Sequence, residues 1–249
     1  MENDNKKYDY FRKVYNYKRR CDMKREIINY SKAQCPDSIF GEIQYKNHSW
    51  AWISFDRARA TMLKKSVHGD NVPRDDLSHG SSSNPIVILV LESPHSAEYE
   101  NNTPCAANGT SGKNIADHLC DIFNNHGNFK NSSSILQQFL DRNQENTIDV
   151  WVVNSVRYQC SMGITPICHI IKEINWIDEW CERKTDFQDR IKTFLCDRGD
   201  FVVINFCTKG KCIPMKEIVE ECLISQPNIK VHYCKGPHPS SWINSAEIV

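Results

Sequence analysis

Four short apolar runs divide the second part of the chain: PIVILVLES at 85–93, DVWVVNSVR at 149–157, DFVVINFC at 200–207 and NIKVHYC at 228–234. Each is rich in β-branched residues and too short for an independent helix, so each predicts a buried strand. Between them, apolar residues recur with helical spacing over roughly 112–125, 164–196 with a break, and 213–225. Strands alternating with helices imply parallel crossovers. The expected fold class is therefore a three-layer α/β/α domain over 85–249 with a short central parallel sheet. Upstream, Tyr10, Phe11, Val14, Tyr17, Ile27 and Ile28 form a loose apolar stripe that predicts a largely helical segment over 7–34. WAWISFDRARATMLKKSV at 50–67 reads as strand and then helix, and the Gly-, Ser-, Asn- and Pro-rich stretch 68–85 reads as a loop or linker. Residues 1–84 are thus expected to be a basic, mainly helical N-terminal region with a linker.

Composition narrows the function classes. The 249 residues carry 31 Lys and Arg against 31 Asp and Glu, so no global field advertises a nucleic-acid partner. The charge is uneven, however, because nine basic residues against two acids fall within 6–25, interleaved with aromatics. That segment is either a solvated helix face or a phosphate-tracking surface. Twelve cysteines are scattered with no C-x-x-C pair, which argues against a structural zinc or iron–sulfur site and for reduced, buried thiols. No apolar run is long enough to span a bilayer and the first residues lack the apolar core of a signal peptide. The expectation is a cytoplasmic monomer without membrane contact, cofactor or metal.

In open α/β sheets, ligands gather beyond the carboxyl ends of the strands. The polar residues found there are Glu92, Ser93 and His95 after the first run, Asn154 and Arg157 after the second, Asn205, Thr208 and Lys209 after the third, and His238 and Ser240 after the fourth.

Their order resembles the uracil-DNA glycosylase superfamily over residues 86–242. VLESPH at 90–95 is similar to the water-activating motif that follows the first strand in that family. PCAANGTSGKNIADHL at 104–119 is similar to its next loop and helix, with Gly109 and Gly112 at the paired glycines. VWVVNSVRYQ at 150–159 resembles the base-reading strand, and GPHPSSW at 236–242 resembles the motif beginning His-Pro-Ser. The resemblance implies a short parallel sheet between helices, DNA as partner and hydrolysis of an N-glycosidic bond. It makes Glu92 the water-activating carboxylate, since Ser93 stands where other branches place an aspartate or asparagine. His95 falls at the family's thymine-excluding tyrosine, Ala107 at its stacking phenylalanine, and Trp242 at its wedge leucine.

The chemistry gives these residue types their roles. Breaking the bond creates an oxocarbenium-like sugar and an anionic base, so Glu92 would orient water and His238 would donate to the developing anion. Asn154 both donates and accepts, and suits the polar edge of an extruded base, with Ser93, His95 and Ala107 lining its pocket. Ser240, Ser241 and Lys209 would contact the DNA backbone while Trp242 enters the duplex. Ala107 in place of an aromatic opens the pocket, which suggests uracil or a bulky modified pyrimidine, including hypermodified phage cytosines, as the excised base. The alternatives are a non-catalytic base-flipping module, a cysteine hydrolase built on Cys160 or Cys207 with His169 or His238, and a lyase using Lys113 or Lys209.

Overall fold

The computed structural model describes residues 33–55, 84–99, 104–125, 133–160, 166–196, 200–225 and 233–242. The basic stretch 6–25, the expected helix 7–34 except its last two residues, and the loop 68–83 lie outside them. The apolar runs form strands β3 (Ile86–Leu91), β4 (Thr147–Asn154), β5 (Phe201–Asn205) and β6 (Tyr233–Lys235). These four are mutually parallel, with β3 bonded to β4 on one side and β5 on the other, and β6 beyond β5. Two further strands, β1 (Ser38–Lys46) and β2 (Ser49–Phe55), complete the sheet in the order β2-β1-β4-β3-β5-β6.

The sheet is therefore mixed, not wholly parallel: β1 runs antiparallel to both β2 and β4. It also crosses the expected boundary at 84/85, because a hairpin from the N-terminal region pairs along β4 in the same sheet. The two-residue turn Asn47–His48 has φ of 49° and 64°. Positive φ at both central positions matches the right-handed twist of the paired strands.

Helices α1 (Thr110–Asn124), α2 (Ser133–Arg142), α3 (Pro166–Cys196) and α4 (Met215–Ile224) cover the sheet. Every residue of β3 is buried, and its alternation assigns the layers. Val87, Leu89 and Leu91 share a cluster with Ile115 and Leu119 of α1 and Phe139 and Leu140 of α2. Ile86, Ile88 and Val90 share one with Trp176, Ile177 and Trp180 of α3 and Val219 and Leu223 of α4. The result is a mixed α/β fold with helices on both faces of the sheet. The expected break in 164–196 is not present; α3 is continuous, and its buried Trp176, Trp180, Phe187 and Ile191 recur at helical spacing along one stripe.

One buried carboxylate fixes the segment that leads from β5 to α4. Glu173 of α3 accepts the backbone N–H of Lys211 at 2.7 Å, of Cys212 at 2.7 Å and of Ile213 at 2.8 Å. The bend starts at Gly210, whose φ is 70° and where an added Cβ would lie 2.0 Å from the Ile213 carbonyl oxygen. Replacing Glu173 by Ala orphans these donors and should cost about 3 kcal/mol or more of stability. Chemical denaturation reads this directly: an unchanged midpoint would show that the loop holds itself.

Candidate active site

Glu92 is the first residue beyond β3, which lies between β4 and β5, at the carboxyl end of the parallel strands where open α/β sheets gather ligands. Its backbone is pinned before its side chain is considered. The carbonyl oxygen accepts Val156 N–H at 3.1 Å, Ser155 Oγ–H at 2.6 Å and Trp176 Nε1–H at 3.0 Å. The carboxylate is buried, with 5% of the residue exposed. Lys172 of α3 donates to Oε1, while the backbone N–H of Thr208, at 3.1 Å, and its hydroxyl donate to Oε2. A carboxylate offers about four acceptor positions, so among the described residues these contacts leave one open on Oε1. Burial pushes the Glu92 pKa up, but Lys172, His238 and the bonds from Lys172 and Thr208 together bring it below the ordinary 4.5. The group is ionised at neutral pH.

His238 follows β6. GPHPSSW folds as a single tight turn that uses its own polar atoms: Ser241 donates from N–H at 2.9 Å and from its hydroxyl at 2.7 Å to the His238 carbonyl. The backbone N–H of Ser240 donates to Nδ1 at 3.2 Å, and Ser240 Oγ lies 2.8 Å from the same nitrogen. A backbone N–H can only donate, so Nδ1 accepts and the neutral ring carries its proton on Nε2. Burial lowers the pKa of the ring from 6.5, Glu92 opposes that, and Lys172 and Lys216 reinforce it, with a net lowering. The imidazole is a neutral Nε2–H donor at pH 7. Lys216 also donates to the Gly236 carbonyl, tying the turn to α4, and Asn114 of α1 donates to the Pro239 carbonyl at 2.8 Å.

Comparisons with family models, curated proteins and solved structures find no match. The site must therefore be read from its own atoms.

Asn154 ends β4 and pairs in register with Leu91, so it stands at the strand ends one residue from Glu92. It is fully buried; Nδ2 donates to Glu98 Oε2 at 3.3 Å, and Oδ1 has no hydrogen-bond partner among the described residues. Ser93 is half-buried and hydrogen-bonds the Cys160 thiol. His95 and Lys209 are exposed.

Three sequence expectations change. Ala107 does not open a space: it is 2% exposed, adopts φ 58° and sits in the core cluster with Phe206 and Trp242, and a Cβ on Gly112 would lie 1.7 Å from its carbonyl oxygen. Trp242 is not held out as a wedge. It is fully buried edge-on to Phe206 with centroids 5.1 Å apart, and its Nε1 donates to the Pro237 carbonyl at 3.0 Å. The hydroxyls and N–H groups of Ser240 and Ser241 turn inward onto His238 instead of standing free for phosphate.

Lys172 and Thr208 complete the Glu92 site; Thr208 was among the polar residues expected at the strand ends, and Lys172 was not singled out by the sequence pattern. Thr208 has a visible signal, being the first polar residue after the β5 run. Lys172 has a weaker one, since Lys172 and Glu173 are adjacent charges between apolar residues in the IIKEINW stretch of α3. The cysteine reading loses ground: burial pushes the Cys160 and Cys207 thiols far up, so both stay protonated. Among the described residues, no group of three or more His, Cys, Asp or Glu side chains is placed to hold a metal ion, and no helix is long and apolar enough to cross a membrane.

Lys172 holds down the pKa of both Glu92 and His238. In Lys172→Met both pKa values should rise, so the acid limb of any activity needing ionised Glu92 and neutral His238 should move to higher pH. A pH–rate profile distinguishes this from a packing defect, which would lower the rate without moving the limb.

Proposed function

We propose that this protein is a monofunctional DNA glycosylase that hydrolyses the N-glycosidic bond of an extruded uracil or modified pyrimidine and leaves an abasic site. The observation that carries the reading is an ionised Glu92, held by Lys172 and Thr208, electrostatically coupled to a neutral His238 whose Nδ1 accepts and whose Nε2–H is left to donate, both following the carboxyl ends of parallel strands. The order of motifs along the chain adds the uracil-DNA glycosylase resemblance, and the four parallel strands between helix layers are consistent with that fold.

The reaction needs few groups. A water held at the open position on Glu92 Oε1 attacks C1′ of the sugar as the C1′–N1 bond breaks. The water proton passes to the carboxylate, and the bonding pair leaves on the base. His238 donates from Nε2 to the pyrimidine O2, where the charge accumulates, and a neutral donor does this without transferring its proton. Lys172 and Lys216 add positive charge around the ring. Extrusion is required because these groups lie at a buried strand end, out of reach of a stacked base.

Oligonucleotides carrying uracil, hypoxanthine or glucosylated hydroxymethylcytosine test the reading when incubated with the protein and then treated with alkali. Breaks that need alkali indicate simple hydrolysis. Breaks without alkali indicate a lyase, and binding without breaks indicates the base-flipping module.

A further inference from the structure

We propose that Arg190, held in place by Asp37, is a positioning residue for the active site, gripping the peptide that ends β4 and so fixing Asn154 and Glu92 relative to each other. This rests on the glycosylase reading and adds to the site a residue from the segment before β1, outside the 85–249 region that the sequence marks off.

The need for such a grip comes from a missing donor. Ser155 N–H turns to the Leu91 carbonyl of β3 at 2.7 Å, so the Asn154 carbonyl faces the other neighbour, β1. Ser38 at the start of β1 pairs with Val152, and the same antiparallel register two residues further on puts Pro36 opposite Asn154. Proline has no N–H to give. Arg190 of α3 supplies the donor instead, with Nη2 at 3.0 Å from the Asn154 carbonyl oxygen and 3.5 Å from that of Ser155.

The guanidinium is itself tied down. Nη1 donates to both oxygens of Asp37, at 2.7 and 2.8 Å, and Nε donates to Asp186 at 2.9 Å. The Arg190 and Asp37 side chains are only 12% and 10% exposed, so solvent does little to loosen the pair. Asp186 also takes Arg157 Nη2 at 2.7 Å, and the Arg157 carbonyl accepts Cys35 N–H at 2.8 Å. The grip reaches Glu92 through Ser155, whose hydroxyl donates to the Glu92 carbonyl at 2.6 Å and accepts Trp176 Nε1–H at 3.1 Å. The Asn154–Ser155 peptide thus joins the residue expected at the base edge to the residue that holds Glu92, and a charge-assisted bond fixes it. The main influences on the Glu92 and His238 pKa values are burial, Lys172, Thr208, Lys216 and each other. Arg190 therefore acts on geometry and leaves the titration of the site alone.

Arg190→Lys and Asp37→Asn test this. The lysine keeps the charge, but one ammonium cannot span Asp37, Asp186 and the Asn154 carbonyl as the planar fork does. Single-turnover base release is measured on duplexes carrying uracil or glucosylated hydroxymethylcytosine, across duplex concentration and pH, well below each protein's own melting transition. In both variants the maximal rate should fall about 10- to 100-fold, the scale set by a small misplacement of reacting groups. The half-saturating duplex concentration should stay within about threefold, because phosphate contacts dominate affinity, and the acid limb should stay in place, unlike that of Lys172→Met. If Arg190→Lys does not fold, Asp37→Asn decides alone. Intact-protein rates in the folded variants, even with earlier melting, would show that the pair only supports the fold; this overturns the inference and leaves the glycosylase reading standing. A limb that moves with the rate would show an electrostatic role and overturns it as well. No release by the intact protein on either base overturns the glycosylase reading and the inference with it.

Discussion

Glu92→Gln is expected to lower base release by about 100- to 10,000-fold, the range for removing a positioned general base. The substitution keeps shape but changes the electrostatics at both ends of the carboxylate. Gln can still accept the Thr208 donors through its carbonyl oxygen, but its NH2 then faces the Lys172 ammonium. Lys172, 15% exposed at the side chain, loses its counter-charge. A largely buried unpaired ammonium costs about 3–5 kcal/mol, so the single variant should also melt earlier. The double variant Glu92→Gln/Lys172→Met removes the orphaned charge and should recover much of the stability while remaining inactive. Melting and rate measured on the same samples separate the roles. Recovery of rate with stability would mean that Glu92 only supports the fold.

The second large effect is at His238. Replacing it by Ala should cost about 100- to 1,000-fold in rate, the loss typical of one donor to a developing anion. Ser241 and Trp242 are bonded to the backbone carbonyls of His238 and Pro237, and only the Ser240 contacts go to the ring, so the turn should survive the loss of the ring. The unaltered protein supplies the pH signature. Activity needs Glu92 ionised and His238 neutral, and both pKa values are lowered from 4.5 and 6.5. The rate should therefore stay flat through neutral pH, and its acid limb should fall below pH 6.5. A limb above that value would require an imidazolium at neutral pH and contradict the donor role.

How far these features could be read from the chain depends on how locally they are encoded. β3, β4 and β5 were legible because strands buried on both faces need continuous apolar runs, α3 because its stripe is long, and α4 because its apolar positions span two turns from Met215 to Leu223. Of the β1–β2 hairpin only β2 was legible, as the strand WAWISF that opens 50–67. The hairpin turn uses Asn47–His48 with no glycine to announce it, and β4, the partner of β1, lies about a hundred residues away in sequence. α2 was missed because its apolar residues occupy barely more than one turn, at Ile135, Leu136, Phe139 and Leu140.

The site divides the same way. Glu92, Asn154 and His238 were visible because a strand end is a local feature. Lys172 and Glu98 became visible only when α3 and the β3–α1 loop were folded over those ends. Two residues assigned by resemblance, Trp242 as a wedge and Ala107 as the wall of an opened pocket, fared differently. Trp242 and Ala107 are drawn into the core beside Phe206, where burial of an apolar side chain outweighs presenting it to solvent.

The most direct test of the central claim is the alkali-dependent cleavage of a base-modified oligonucleotide by the intact protein, with Glu92→Gln/Lys172→Met alongside. The account predicts abasic sites, seen as strand breaks only after alkali, with the intact protein and at least about 100-fold fewer with the double variant. Abasic sites formed equally by both proteins, or by neither on any base offered, would contradict it.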